Sequence, residues 1–361
     1  MINKSLVAIV LATTTVLGFE NKATPAPIRI TNTPTTDEGP RDMFGDWIVY
    51  ESNENGYGIF LQNINTQEKR NLTNYFAEGG WIDGNYMGLE SIVSGSYSHI
   101  SLYNIQDNSF SDLTPNVDRN QFGVGISEGK VFWVDGQEEN MGSLVVYDIA
   151  SGNRQTYPEF NDSTLKIEGQ IKPLAYSKDK VAFQALKYLP DTDTFVYSLN
   201  VFDLNTRTKE TILEDSNSIL GMGFDGDYLS YIRETETDYD IFLYNLKDNT
   251  TQKINQNSKN NFDLDMAGNM LVWNGWTSSN NRDIYYYDIN EGIEKVLALP
   301  GSQELPIVWD NVIAYGDNLG GAYDVFVNRL SVPEPSSLLL GVGAGLLGLL
   351  SHGVSKAHTH K

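Results

Sequence analysis

The chain has no cysteine. No disulfide supports the fold, no thiolate can bind a metal or attack a substrate, and a lipoprotein anchor is excluded. Histidine is nearly as scarce. Of four, His352, His358 and His360 stand in the C-terminal tail, which leaves His99 for the rest of the chain. One imidazole cannot build a His-rich metal centre. A Ser-His-Asp triad would have to use His99, and no nucleophile elbow accompanies it. His99 stands next to Ile100 in a strand-like run and reads as structural. A Gly-rich phosphate loop and a dinucleotide fingerprint are also missing. Positive charge is short: 25 Lys and Arg against 47 Asp and Glu give a net charge of −22. Such a chain is repelled by nucleic acid and by anionic lipid heads, so no nucleic-acid partner is expected.

What is present begins with the two ends. Lys4 supplies a positive start and Leu6 to Leu17 a short apolar stretch, the pattern of a secretory signal over residues 1–23. Cleavage after Gly18 and after Ala23 both stay open. At the other end stand Pro333, Glu334 and Pro335, followed by Leu338 to Leu350 and a tail with Lys356 and Lys361. From Ser336 to Ser355 no residue is formally charged, about twenty positions and about 30 Å as a helix, enough to cross a bilayer. Segment 331–361 resembles the PEP-CTERM sorting signal of Gram-negative bacteria. The resemblance implies an exosortase partner that cuts at the Pro-Glu-Pro motif. It also implies a transient stay in the inner membrane and a mature protein at the cell surface or outside the cell. The tail departs from that family, with two lysines in place of an arginine cluster. An ordinary C-terminal membrane anchor is the other reading, and both place the body of the protein outside the cytoplasm.

Between the ends, one motif is written about seven times at intervals of about 40 to 50 residues. It is clearest as Asp240-Ile241-Phe242-Leu243-Tyr244-Asn245-Leu246 and as Asp283-Ile284-Tyr285-Tyr286-Tyr287-Asp288-Ile289. Alternating aliphatic and aromatic positions have the period of a strand. Each copy sits in a unit of four strands. In the fifth unit these are Ile219 to Phe224, Tyr228 to Ile232, Ile241 to Leu246 and Thr251 to Ile254. Turns from third to fourth strand carry Asn108, Gly152, Asn249 and Gly292 where a left-handed residue is wanted. Gln67 and Arg207 break that rule, and another turn geometry is expected there.

Four antiparallel strands repeated seven times define an all-β chain, a seven-bladed β-propeller over residues 24–330. The blade pattern resembles the TolB-like propeller family, which implies a fold and no particular chemistry. Blade seven has three strands before the sorting segment begins. Ile28-Arg29-Ile30-Thr31 has the form of the fourth strands Arg70-Asn71-Leu72-Thr73 and Ser111-Asp112-Leu113-Thr114. Segment 28–31 is therefore expected to complete blade seven, with a disordered leader as the alternative.

Loops between second and third strands emerge together on one face of a propeller. As read from the sequence they include Ala185 to Tyr197, Asn274 to Arg282 and Asp317 to Tyr323. The ligand-binding candidates they carry are Tyr57, Tyr97, Tyr188, Asp191, Asp193, Tyr239, Trp276 and Tyr323. Aromatic planes beside carboxylates suit sugar rings, whose C–H faces stack while their hydroxyls bond to acids. Asp191-Thr192-Asp193-Thr194 alternates like a calcium loop but lacks the Gly and distal Glu of an EF-hand. Calcium is the only cofactor this suggests. No catalytic residue is assigned. PEP-CTERM proteins are associated with extracellular polysaccharide and biofilm. That association implies a non-enzymatic binding or scaffold propeller for a polysaccharide or a surface protein. A polysaccharide hydrolase or lyase using paired carboxylates is the alternative.

Overall fold

Second strands of the repeat read as almost unbroken apolar runs because both of their faces are covered. In Trp47–Ser52, Ile48 and Tyr50 pack toward one neighbouring sheet and Val49 toward the other. In Lys130–Asp135, Phe132 and Val134 point one way, Val131 and Trp133 the other. Outer strands show the opposite: Ser109–Asp112 and Thr250–Lys253 are exposed at every position.

The computed structural model describes residues 26–33, 35–53, 57–72, 76–92, 97–117, 120–136, 142–160, 174–189, 194–278, 281–319 and 321–330. The signal at 1–23, the sorting segment at 331–361 and the acidic pair Asp191 and Asp193 lie outside them. Among the described residues no helix is long and apolar enough to cross a membrane.

Seven four-stranded antiparallel sheets follow one another along the chain. Their innermost strands are Glu38–Phe44, Phe76–Asp83, Gln121–Ser127, Leu174–Ser177, Ile219–Asp225, Lys259–Ala267 and Gln303–Trp309. They define blades one to seven, and the chain is a seven-bladed β-propeller. Blade seven continues with Val312–Asp317 and Asp324–Arg329, and its outer strand is Ile28–Arg29. Ile28 pairs with Val327 and Arg29 with Phe326. Ile30 N–H then donates to Val325 O at 2.8 Å, and Arg29 forms an ion pair with the buried Asp324.

The apolar interior is divided. Seven clusters are found among the described residues, each lying between two adjacent blades. A single four-stranded sheet cannot cover its own faces, so each blade depends on its neighbours. The cluster between blades seven and one joins Tyr50, Phe60 and Ile64 to Ile307, Val312 and Val325, with Ile30 from the closing strand.

Turns from third to outer strand share one construction. An Asx residue ends the third strand and its side chain accepts backbone N–H groups of the turn. Asn63 Oδ1 takes Asn65 N at 3.0 Å and Thr66 N at 2.9 Å; Asp203 Oδ1 takes Asn205 N at 2.9 Å and Thr206 N at 3.0 Å. Gln67 and Arg207 adopt φ of 62° and 57°, the same left-handed conformation as Asn108, Asn249, Gly152 and Gly292. The expectation of another geometry at Gln67 and Arg207 is thus corrected. Asx capping and the closing bond to the Asx carbonyl hold these two side-chain-bearing residues where glycine is easier.

Innermost strands are bulged in six of the seven blades. Each bulge places an extra residue at the wall of the central channel. Gly123 and Gly221 take positive φ there, and so do Asp263 (φ 51°) and Leu305 (φ 52°).

Candidate functional site

Loops from second to third strands and from outer strands to the next blade open on the same face, called here the upper face. Two recesses connect with it. The central one has a volume of about 470 Å³ and is bounded by bulge residues, among them Arg41, Trp81, Val124, Met222, Asp265 and Leu305. The second, about 260 Å³, lies between blades seven and one.

Asp42 and Asp265 occupy the same position in blades one and six. Each carboxylate reaches the innermost strand of the next blade: Asp42 Oδ2 accepts Ile82 N–H at 2.8 Å, and Asp265 Oδ2 accepts Val308 N–H at 2.8 Å. Burial pushes the Asp265 carboxyl up to about 6 despite these bonds. Burial, with Asp265 nearby, also raises Asp42 well above the usual carboxylate range. Both oxygens of Asp42 hold backbone N–H groups, from Ile82 and from Met43. These acids tie blades together.

The smaller recess has a different make-up. Its walls carry Tyr57 from blade one and Tyr323 from blade seven. Each tyrosine is hydrogen-bonded to a glutamate, and each glutamate is paired with an arginine. Tyr57 engages Glu51, which pairs with Arg41; Tyr323 engages Glu304, which lies 2.8 Å from Arg282. Burial, then the glutamate, pushes both phenols up to about 12. Both phenols therefore keep their protons through neutral pH. Glu38, only 2% exposed, also lines the recess. Its Oε1 accepts Ser52 Oγ–H at 3.1 Å, while its Oε2 has no hydrogen-bond partner.

The structure brings together Tyr57 and Tyr323 among the residues singled out by sequence. The others stand on separate blades. Tyr97 is exposed on blade two. Tyr239 packs on Phe262, ring centroids 5.2 Å apart. Trp276 is half-buried, with the Arg282 guanidinium 4.9 Å from its ring. That cation covers a ring face the sequence reading left for a sugar. Two loop boundaries need correction. Lys180–Leu189 and Thr194–Asp203 are paired as far as Leu189 with Thr194, so Tyr188 is a strand residue facing Phe195 in register. Trp276 is likewise in a strand, opposite Arg282. Both segments keep alternating aromatic and aliphatic residues past the expected strand ends, which favours continued pairing. Two of the loop acids make structural bonds: Asp317 Oδ2 takes Gln303 Nε2–H at 3.0 Å and Asp238 Oδ1 takes Tyr239 N–H at 2.8 Å.

Sequence reasoning missed Glu38, Glu51, Glu304, Arg41 and Arg282. His99 lies on Ser98–Asn104 with Nδ1 3.5 Å from Asp112 Oδ2 of the outer strand, away from both recesses. Among the described residues no group of three His, Asp or Glu side chains is placed to hold a metal ion.

No family model and no curated protein matches the chain. Solved structures do. The β-propeller domain of the Trilobed protease from Pyrococcus furiosus is 13% identical, with a TM-score of 0.63, over 84% of this chain and 98% of that one. That domain is described as having an open velcro topology, whereas here blade seven takes its outer strand from the N-terminal segment. Pyrococcus horikoshii acylaminoacyl peptidase is 10% identical with a TM-score of 0.60 over 85% of this chain, which spans about half of the peptidase (54%). TolB from Acinetobacter baumannii is 12% identical over 86% of both chains, with a TM-score of 0.44, too low to argue from. At such identities the likeness shows the propeller fold and no activity.

Proposed function

We propose that this is an exported, non-enzymatic binding propeller. In this reading its upper face takes a glycan, and a PEP-CTERM signal sorts it to the surface of a Gram-negative cell or beyond. One observation carries the binding part. Two Tyr–Glu pairs, Tyr57 with Glu51 from blade one and Tyr323 with Glu304 from blade seven, share a recess on that face, and each glutamate is paired with an arginine. Aromatic planes beside fixed carboxylates offer stacking surfaces and hydrogen-bond acceptors, the two things a sugar ring uses. The sorting part rests on Pro333, Glu334, Pro335 and the apolar run after them. Exosortase is the processing partner in this account, and calcium near Asp191 and Asp193 stays an optional ligand. The test is a glycan array on the full-length protein in mild detergent, followed by product analysis on every hit. Binding without product supports the reading; chain cleavage rejects it.

One observation favours a carboxylate-dependent hydrolase or lyase. Asp42 and Asp265 both have raised protonation ranges and lie along the central channel, as an acid catalyst requires. Their backbone bonds across blade boundaries give them a structural duty that explains the same burial, and for that reason the binding reading is preferred.

A further inference from the structure

Glu38 sits at a position that recurs around the ring. It is four residues before Asp42 and pairs with Ser52. In blade three the corresponding residue is Gln121, paired with Asp135; in blade seven it is Gln303, paired with Asp317. In both of those blades the amide donates to the acid at 3.0 Å. All three side chains are almost fully buried. Blade one inverts the polarity: the acid is on the innermost strand and a serine hydroxyl answers it. Each of the three pairs holds one carboxylate, on the second strand in blades three and seven and on the innermost strand, at the wall of the recess, in blade one. Holding a carboxylate there, with Oε2 unpartnered, costs free energy that a cation in the recess would offset.

The walls specify the cation further. Asp37, Glu38, Glu51 and Glu304 line the recess, and no lysine or arginine does among the described residues. Arg41 and Arg282 are held behind Glu51 and Glu304. Both tyrosine hydroxyls are already donated to glutamates. The remaining side-chain chemistry is acceptor-rich, with the Asn53 amide at the rim. An occupant must bring the donors and a positive charge. Tyr57, Tyr323 and Leu305 add apolar surface that suits the C–H face of a ring. Leu305, 39% exposed, is held there at φ 52°, a strained setting for a leucine.

We infer that this recess takes the protonated amine of an amino sugar, with Glu38 as its acceptor. The inference rests on the glycan-binding reading above and narrows it to cationic, donor-rich sugars. Uronates, sulfates and phosphates are disfavoured by Asp37 and Glu38, the two recess acids that are not paired with an arginine.

Calorimetry on the full-length protein in mild detergent tests it with three probes: a glucosamine oligomer, its N-acetylated counterpart and a galacturonate oligomer. The expected order is glucosamine first, the N-acetylated form at least about tenfold weaker because its charge is gone, and galacturonate not at all. Glu38→Gln, which installs the residue found in blades three and seven, is expected to lower glucosamine affinity about tenfold to a hundredfold. Its circular dichroism and melting temperature should stay at wild-type values. Equal affinity for both amino-sugar forms, or an unchanged affinity in Glu38→Gln, overturns the inference. A lysine peptide that outcompetes the glucosamine oligomer overturns the assignment to a sugar. Binding of neutral or acidic glycans alone would sink this inference and leave the broader reading standing; binding of no glycan would sink both.

Discussion

Asp265→Asn isolates the electrostatic cost of an inter-blade tie. The wild-type carboxylate accepts Val308 N–H from blade seven at 2.8 Å. Asparagine keeps an acceptor for that bond and removes the charge. In the folded state the carboxyl titrates at about 6, against an ordinary value of 3.8. Between those two values the folded protein holds a proton that the unfolded chain has lost. Stability therefore falls as pH rises from about 4 to about 6 and stays low above. The full interval corresponds to about 3 kcal/mol. Asp265 keeps partial exposure at the channel wall, and the bond from Met266 N–H is weakened in the variant, which takes back about 1 kcal/mol. The net expectation is that Asp265→Asn is more stable than wild type by about 1–2 kcal/mol at pH 7.5 and equal or slightly less stable at pH 4. Urea denaturation of both proteins at the two pH values measures this directly. A difference of the same size and sign at both values would refute the argument, since a charge that costs nothing cannot be the cause.

Removing residues 26–33 deletes the outer strand of blade seven and leaves Asp324, 2% exposed, without Arg29; a loss of about 3–5 kcal/mol is expected in thermal melts. Gly125→Ala would place a methyl group 2.1 Å from the Tyr176 ring, which stacks on Phe132, so the variant should lose about 1–3 kcal/mol in urea denaturation. His99→Ala should leave glycan binding unchanged in calorimetry, because the ring touches neither recess. Replacing Pro333, Glu334 and Pro335 with alanine should leave the C-terminal segment attached when exported protein is weighed by mass spectrometry.

The blade count was legible because blades one to six repeat the same local chemistry, an Asx that caps the turn after the third strand, an apolar second strand buried on two faces and a short polar outer strand, and blade seven repeats the first three strands. The closing strand was legible because Ile30-Thr31 repeats the aliphatic-Thr ending of Leu72-Thr73 and Leu113-Thr114. Gln67 and Arg207 misled because the turn is set by the Asx before it and not by the side chain in the left-handed position. The site was harder. Glu38, Glu51 and Glu304 come from two sheets more than two hundred residues apart in sequence, and only the ring closure makes them neighbours. Glu38 stands out only once register is known, when it can be compared with Gln121 and Gln303. Trp276 was chosen for its ring, but its cross-strand partner Arg282 could not be identified until the strand was known to extend past it.

The central claim is that the upper face between blades seven and one binds a glycan and leaves it intact. The most direct measurement is a glycan array comparing the full-length wild-type protein with the double variant Tyr57→Ala, Tyr323→Ala, with every bound glycan recovered and sized by mass spectrometry. The account predicts that wild type retains a defined set of glycans at their original length and that the double variant loses them. Retention of the same set by the variant, or recovery of shortened chains from wild type, would contradict it.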